Sequence, residues 1–158
     1  MIQSENHPLL DAVAFTTTFN VPLGQIPVPD AVRRLFDLEA DAPMPEAEGI
    51  KLAVRDLLRH GGFKPAGRNK PASEYLIKAV ETGWLSPDKG INAAVDTLNA
   101  VSLHSGLPIS VIDLDKAEGP FRVGICGPET SYVFNPAGQE LKLDGLLALH
   151  DAQGPCAN

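Results

Sequence analysis

The chain has 158 residues, 44% hydrophobic and 21% charged, which is ordinary for a globular protein and enough to bury a sizeable core. A formal net charge of −7 argues against indiscriminate nucleic-acid binding, because phosphate contacts need cations. No apolar run approaches a membrane span, and Glu5 and Asp11 stand where a secretory leader would carry basic residues, so a cytoplasmic protein without membrane contact is expected.

The first 28 residues read as an extended lead-in. Within them "AFTTTFNVPL" is dense in β-branched residues and predicts an edge strand. "PDAVRRLFDLEA" opens on Pro29 and Asp30, with Val32, Leu35, Phe36 and Leu38 at helical spacing, and predicts a first helix. "EAEGIKLAVRDLLRHGG" predicts an amphipathic second helix. Leu52, Val54, Leu57 and Leu58 share one side of it, and Lys51, Arg55 and Arg59 follow each other at i, i+4, i+8 on another. Gly61 and Gly62 end that helix, with Arg59 and His60 suited to its last turn.

"KPASEYLIKAVETG" predicts a third helix stopping at Gly83, and residues 91–105 a fourth, ended by Gly106 and Pro108. The period then changes. "PISVIDLD", "FRVGIC", "TSYVF", "QELKL" and "GLLALHD" read as short strands, with "NPAG" at 135–138 a turn between two of them. Helices followed by strands imply an α+β domain rather than alternating βαβ units.

Charge is unevenly spread. Residues 51–78 hold seven cations against Asp56 and Glu74, a net +5 that leaves −12 for the rest of the chain. A solvated helix face explains such a stripe. A contact for RNA phosphates, running through Lys51, Arg55, Arg59, Lys64, Arg68 and Lys70, explains it equally. Cys126 and Cys156 form neither a disulfide framework nor a zinc pattern, and two reduced cysteines are expected. No metal spacing, phosphate loop or dinucleotide fingerprint is present, so no cofactor is expected. His104 suits the dipole at the end of the fourth helix better than it suits catalysis. Adjacent His150 and Asp151 on a strand point to opposite faces, which argues against joint acid–base work.

The fourth helix carries the candidate site. Asn92, Asp96, Asn99 and Leu103 lie within about 60° of one another, with small or apolar residues on both flanks. A polar stripe in such surroundings needs partners, because an unpaired buried group costs roughly 1–3 kcal/mol. Tethering of nearby backbone and the lining of a ligand pocket both account for it.

"INAAVDTLNAVSLHSGLPISVIDLD" resembles the B3/B4 editing domain of the phenylalanyl-tRNA synthetase β subunit. The matches are Ile91, Asn92, Val95, Asp96, Asn99, Gly106, Pro108 and Asp113, followed by "GPET" and "LDG" at 143–145. "VRDLLRHGGFKPAGRNKPASEYL" looks like the free-standing relatives of that domain. The likeness covers roughly residues 50–158, leaving 1–49 as an N-terminal extension packed on the domain in one compact unit. It implies a three-layer α+β fold with a β-sandwich of unusual topology. In the synthetase this pocket hydrolyses tyrosine misattached to the phenylalanine tRNA.

Carried over residue by residue, Asn99 falls on a pocket asparagine. Glu129 falls beside the glutamate that recognises the tyrosine hydroxyl, offset by Pro128. Two positions depart from the pattern: Leu98 stands for a threonine, and Ser110 for a histidine. The resemblance thus implies a tRNA or aminoacyl-tRNA partner and a substrate set of Asn92, Asp96, Asn99, Ser110 and Glu129. No catalytic residue is assigned. Hydrolysis of misacylated tRNA in trans, a non-catalytic RNA-binding module and a sensor of free amino acids all remain open.

Overall fold

The computed structural model describes residues 2–66, 69–133 and 138–158, and the chain is of mixed α+β class. It forms two compact units, each assembled from separate stretches of sequence. The helical unit comprises 16–54 and 67–111; the sheet unit comprises 1–15, 55–66 and 112–158.

In the helical unit, α1 is Asp30–Arg34, α3 is Ala72–Glu81 and α4 is Ala93–Ser105, while α2, Ile50–His60, crosses the boundary between the units. Phe36, Ala100 and Leu103 form the core of this unit, with Val32, Leu35, Leu76, Ile77, Val80 and Leu85 packed around them. The predicted helical periodicity therefore holds, although α1 is much shorter than expected. Leu35 and Phe36 close tight turns back onto Val32 and Arg33. The Asp37 carboxylate then accepts the Glu39 amide, a local bond that competes with helix continuation. On α2, Val54 and Leu57 are buried as expected, but Leu52 is 61% exposed.

The sheet unit has strand order β1-β2-β5-β6: Ile2–Ser4, Phe121–Ile125, Leu147–His150 and Pro155–Ala157. β1 runs parallel to β2, and the remaining pairs are antiparallel. A separate hairpin joins β3, Ser131–Val133, to β4, Glu140–Lys142. Cys126, Leu143 and Ala148 form the buried core, with Tyr132 and Leu146 against it.

Two predicted strands do not form. "AFTTTFNVPL" pairs with nothing, and Phe15 is 89% exposed. The place beside β2 goes to Ile2–Ser4, held by the Glu5 amide on the Val123 carbonyl and by an Arg122–Glu5 ion pair. "PISVIDLD" stays outside both sheets. Asp113 turns the chain there, its carboxylate accepting the Asp115 amide and its carbonyl accepting those of Lys116 and Ala117. The expected turn at 135–138 lies, apart from Gly138, outside the described residues.

β6 was not anticipated. Its signal is "DAQG", in which the Asp151 carboxylate accepts the amides of Gln153 and Gly154 and folds β6 back onto β5. The "LDG" stretch also has a structural explanation. Leu143 is fully buried, and Gly145 takes a left-handed φ of 72° where its backbone meets that of Gly61 too closely for a Cβ on either residue.

Candidate functional site

α4 explains most of its own polar stripe. Asn92 is the N-cap: its Oδ1 accepts the amides of Ala94 and Val95, both at 3.0 Å. Asp96 has no exposed surface, and its two carboxylate oxygens share the Ile91 amide at 2.9 and 3.2 Å. That contact draws the 90–91 backbone so close that a Cβ on Gly90 would overlap the carboxylate. The N-terminal dipole of α4 further favours the negative charge.

At the far end of α4, the Ser102 hydroxyl donates to the Leu107 carbonyl at 2.6 Å, and Gly106 closes the helix at φ 74°. His104 Nε2 meets the Leu35 carbonyl at 2.7 Å, so His104 ties α4 to the end of α1. Asn99 is half-buried, and its amide forms no hydrogen bond among the described residues. Of the three polar residues in the stripe, it is the one not engaged by backbone.

A cleft of about 300 Å³ opens beside the start of α4, lined by Asn92 and Asp96. The rest of the lining comes from the 23–28 segment, Gln25 excepted, from Arg33 and Phe36, and from the 87–91 loop. Asn99 and Ser110 belong to the same unit but do not line this cleft. Ser110 is exposed in the segment after α4.

Glu129 belongs to the sheet unit. It is exposed, on the turn between β2 and β3, in a left-handed conformation with φ 61°. For a non-glycine residue that conformation is uncommon and costs on the order of 1 kcal/mol.

The cations of the basic stripe are largely occupied within the protein. Lys51 pairs with Glu46 at 3.2 Å, and Arg59 with Asp56 at 2.7 Å. Arg55 donates to the Pro65 carbonyl at 2.8 Å. Lys64 and Lys70 are exposed, whereas Arg68 lies outside the described residues.

The sheet unit has polar features that the sequence did not single out. Gln3, Arg122 and His150 are register partners across β1, β2 and β5, and all three line a cleft of about 570 Å³. The cleft is bounded by Pro120 and the 151–154 turn. Deeper on this face the Cys126 thiol lies 3.8 Å from His150 Nε2. Burial pushes the Cys126 thiol pKa up; the Arg122 charge opposes that and Glu5 adds to it. A buried thiol held protonated is a poor nucleophile, so the pair reads as packing rather than catalysis.

Burial likewise raises Cys156, with help from Asp151, and raises Tyr132. Both cysteines are free thiols, as expected. His7 stacks edge-on with His60, ring centroids 4.4 Å apart, and its pKa is lowered first by burial and then by the His60 charge.

Among the described residues, no three of His, Cys, Asp and Glu gather as a metal site, and no helix is long and apolar enough to cross a membrane. Compared with known proteins, the chain matches no family model, no curated protein and no solved structure.

Proposed function

We propose that the chain is a B3/B4-like module that binds an aminoacyl-tRNA in the cytoplasm, with its two sheets and helices as a variant of the three-layer B3/B4 arrangement. The observation that carries this reading is α4. Within the block resembling the synthetase domain, Ala93–Ser105 folds as one helix capped by Asn92. Its Asn92 and Asp96 serve the backbone, while Asn99, the position carried over from the family's pocket, keeps an unengaged amide. Exposed Lys64 and Lys70 are available to phosphates.

Ser110 in place of histidine, and Leu98 in place of threonine, leave any hydrolysis to a bound water that is positioned rather than activated. Filter binding with aminoacylated and uncharged tRNA tests the reading. Affinity should fall steeply with salt, and Asn99→Ala should abolish the preference for the aminoacylated form. Equal binding of both forms, or none at low salt, sinks it. A deacylation assay over a panel of misacylated tRNAs then decides the enzymatic part, where hydrolysis no faster than the spontaneous rate removes it.

The internal pairing of Lys51, Arg55 and Arg59 favours a second reading, a binder of free amino acids that does not use RNA. Under it, a free amino acid raises the Tm of wild type but not of Asn99→Ala, and tRNA does not compete.

A further inference from the structure

The cleft beside α4 has the chemistry of a small-molecule site, and its polarity is set by a residue outside the stretch that carries the family likeness. Arg33 on α1 is half-buried in it. Its Nε donates to the Val28 carbonyl at 3.2 Å, and one Nη1 hydrogen reaches the Pro87 carbonyl at a weak 3.5 Å. A guanidinium has five N–H donors, so three remain, including both on Nη2. No carboxylate among the described residues pairs with it.

The second donor in the cleft is the Asn92 amide. Its oxygen is committed to the Ala94 and Val95 amides, which leaves the NH₂ group for an incoming acceptor. The opposing charges are accounted for. Asp88 and Lys89 carry opposite charges on the exposed 87–91 loop. Asp96, although it borders the cleft, is fully buried with both carboxylate oxygens on the Ile91 amide. Leu23, Ile26, Phe36 and Ile91 supply apolar wall. Apolar walls with a few convergent donors, at the small end of ligand-site volumes, define the occupant's size and polarity.

We propose that this cleft binds a small organic carboxylate with a branched or aromatic apolar body, its carboxylate held by Arg33 and the Asn92 amide. The site does not depend on tRNA, so it stands or falls separately from the function proposed above. The planar guanidinium suits a carboxylate through paired N–H bonds, which are stronger than those to a neutral acceptor.

The test is a backbone amide NMR titration of the full chain with isovalerate and phenylacetate, against the isosteric isovaleramide and phenylacetamide. The expected result is saturable shifts at Gly24, Gly90 and Ile91, with the carboxylates binding about tenfold more tightly than the amides. Arg33→Lys should reduce that preference and Arg33→Gln should abolish it, with shifts elsewhere in the spectrum unchanged. Equal affinity for acid and amide, non-saturating shifts, or a preference that survives Arg33→Gln overturns the proposal. The acid–amide comparison on wild type needs no variant, so a poorly folded Arg33→Gln protein leaves the test intact.

Discussion

The two units treat buried polar groups in opposite ways. In the helical unit, Asp96, Ser102 and Ser105 are all buried and each holds a hydrogen bond to backbone near an end of α4. In the sheet unit, two buried ring nitrogens have no partner among the described residues: Nε2 of His7 and Nδ1 of His150. A buried polar residue is therefore not in itself a sign of a ligand site. In α4 such residues finish the fold. In the sheet unit one unsatisfied atom belongs to the His7 ring, whose pKa burial lowers, so the consequence there is sensitivity to pH.

The largest expected effect sharpens the helical side of that comparison. Gly90→Ala drives a methyl into the Asp96 carboxylate, which must then move and release the Ile91 amide. Overpacking plus a broken buried bond should destabilise the protein by roughly 2–4 kcal/mol in urea unfolding. Near-wild-type stability would mean that Asp96 is free to move and is therefore available to a ligand. Next, Asn92→Ala removes the α4 cap and should cost about 1 kcal/mol, measured the same way. A loss below a few tenths would show that the cap is dispensable and would return Asn92 to purely binding candidates.

Smaller still is Glu129→Gly. It relieves the left-handed strain of the β2–β3 turn at some cost in unfolded-chain entropy, for a net gain of roughly 0.5 kcal/mol. If that variant also loses tRNA binding, the strain is retained for function.

The last prediction probes the sheet side. His7 Nδ1 accepts the Leu9 amide, so protonation would break that bond inside a buried site beside His60. Its folded pKa lies below the unfolded value, so the unfolded chain takes up the proton first. The contribution of His7 is therefore complete above pH of about 6.5 and is lost as pH falls below it. A Tm profile from pH 7.5 to 5 should slope downward in wild type. His7→Asn, whose side-chain oxygen can still accept the Leu9 amide, should flatten it. Identical slopes would show that other groups carry the acid sensitivity.

The sequence by itself determined α3 and α4 to within two residues at either end, because their apolar spacing and glycine stops agree with each other. α2 stops at its glycine pair as expected but begins only at Ile50, whereas the expected helix begins at Glu46. Local pattern also determined the hairpin strands and the α+β class. In the stripe on α4, the amino-acid pattern called for either tethers or a pocket, since both satisfy a polar group in apolar surroundings. The tethers are themselves local, two to five residues apart in sequence; what only the tertiary structure decided is the complete burial of Asp96.

The same is true of strand choice. "AFTTTFNVPL" has the better β composition, yet Ile2–Ser4 takes the place beside β2, because an ion pair between residues 117 apart in sequence and the ladder bond next to it decide it. Arg33 and Arg122 were unremarkable in the sequence for a related reason. A cation becomes a binding group only when folding lines a cleft with it, and no local spacing records that.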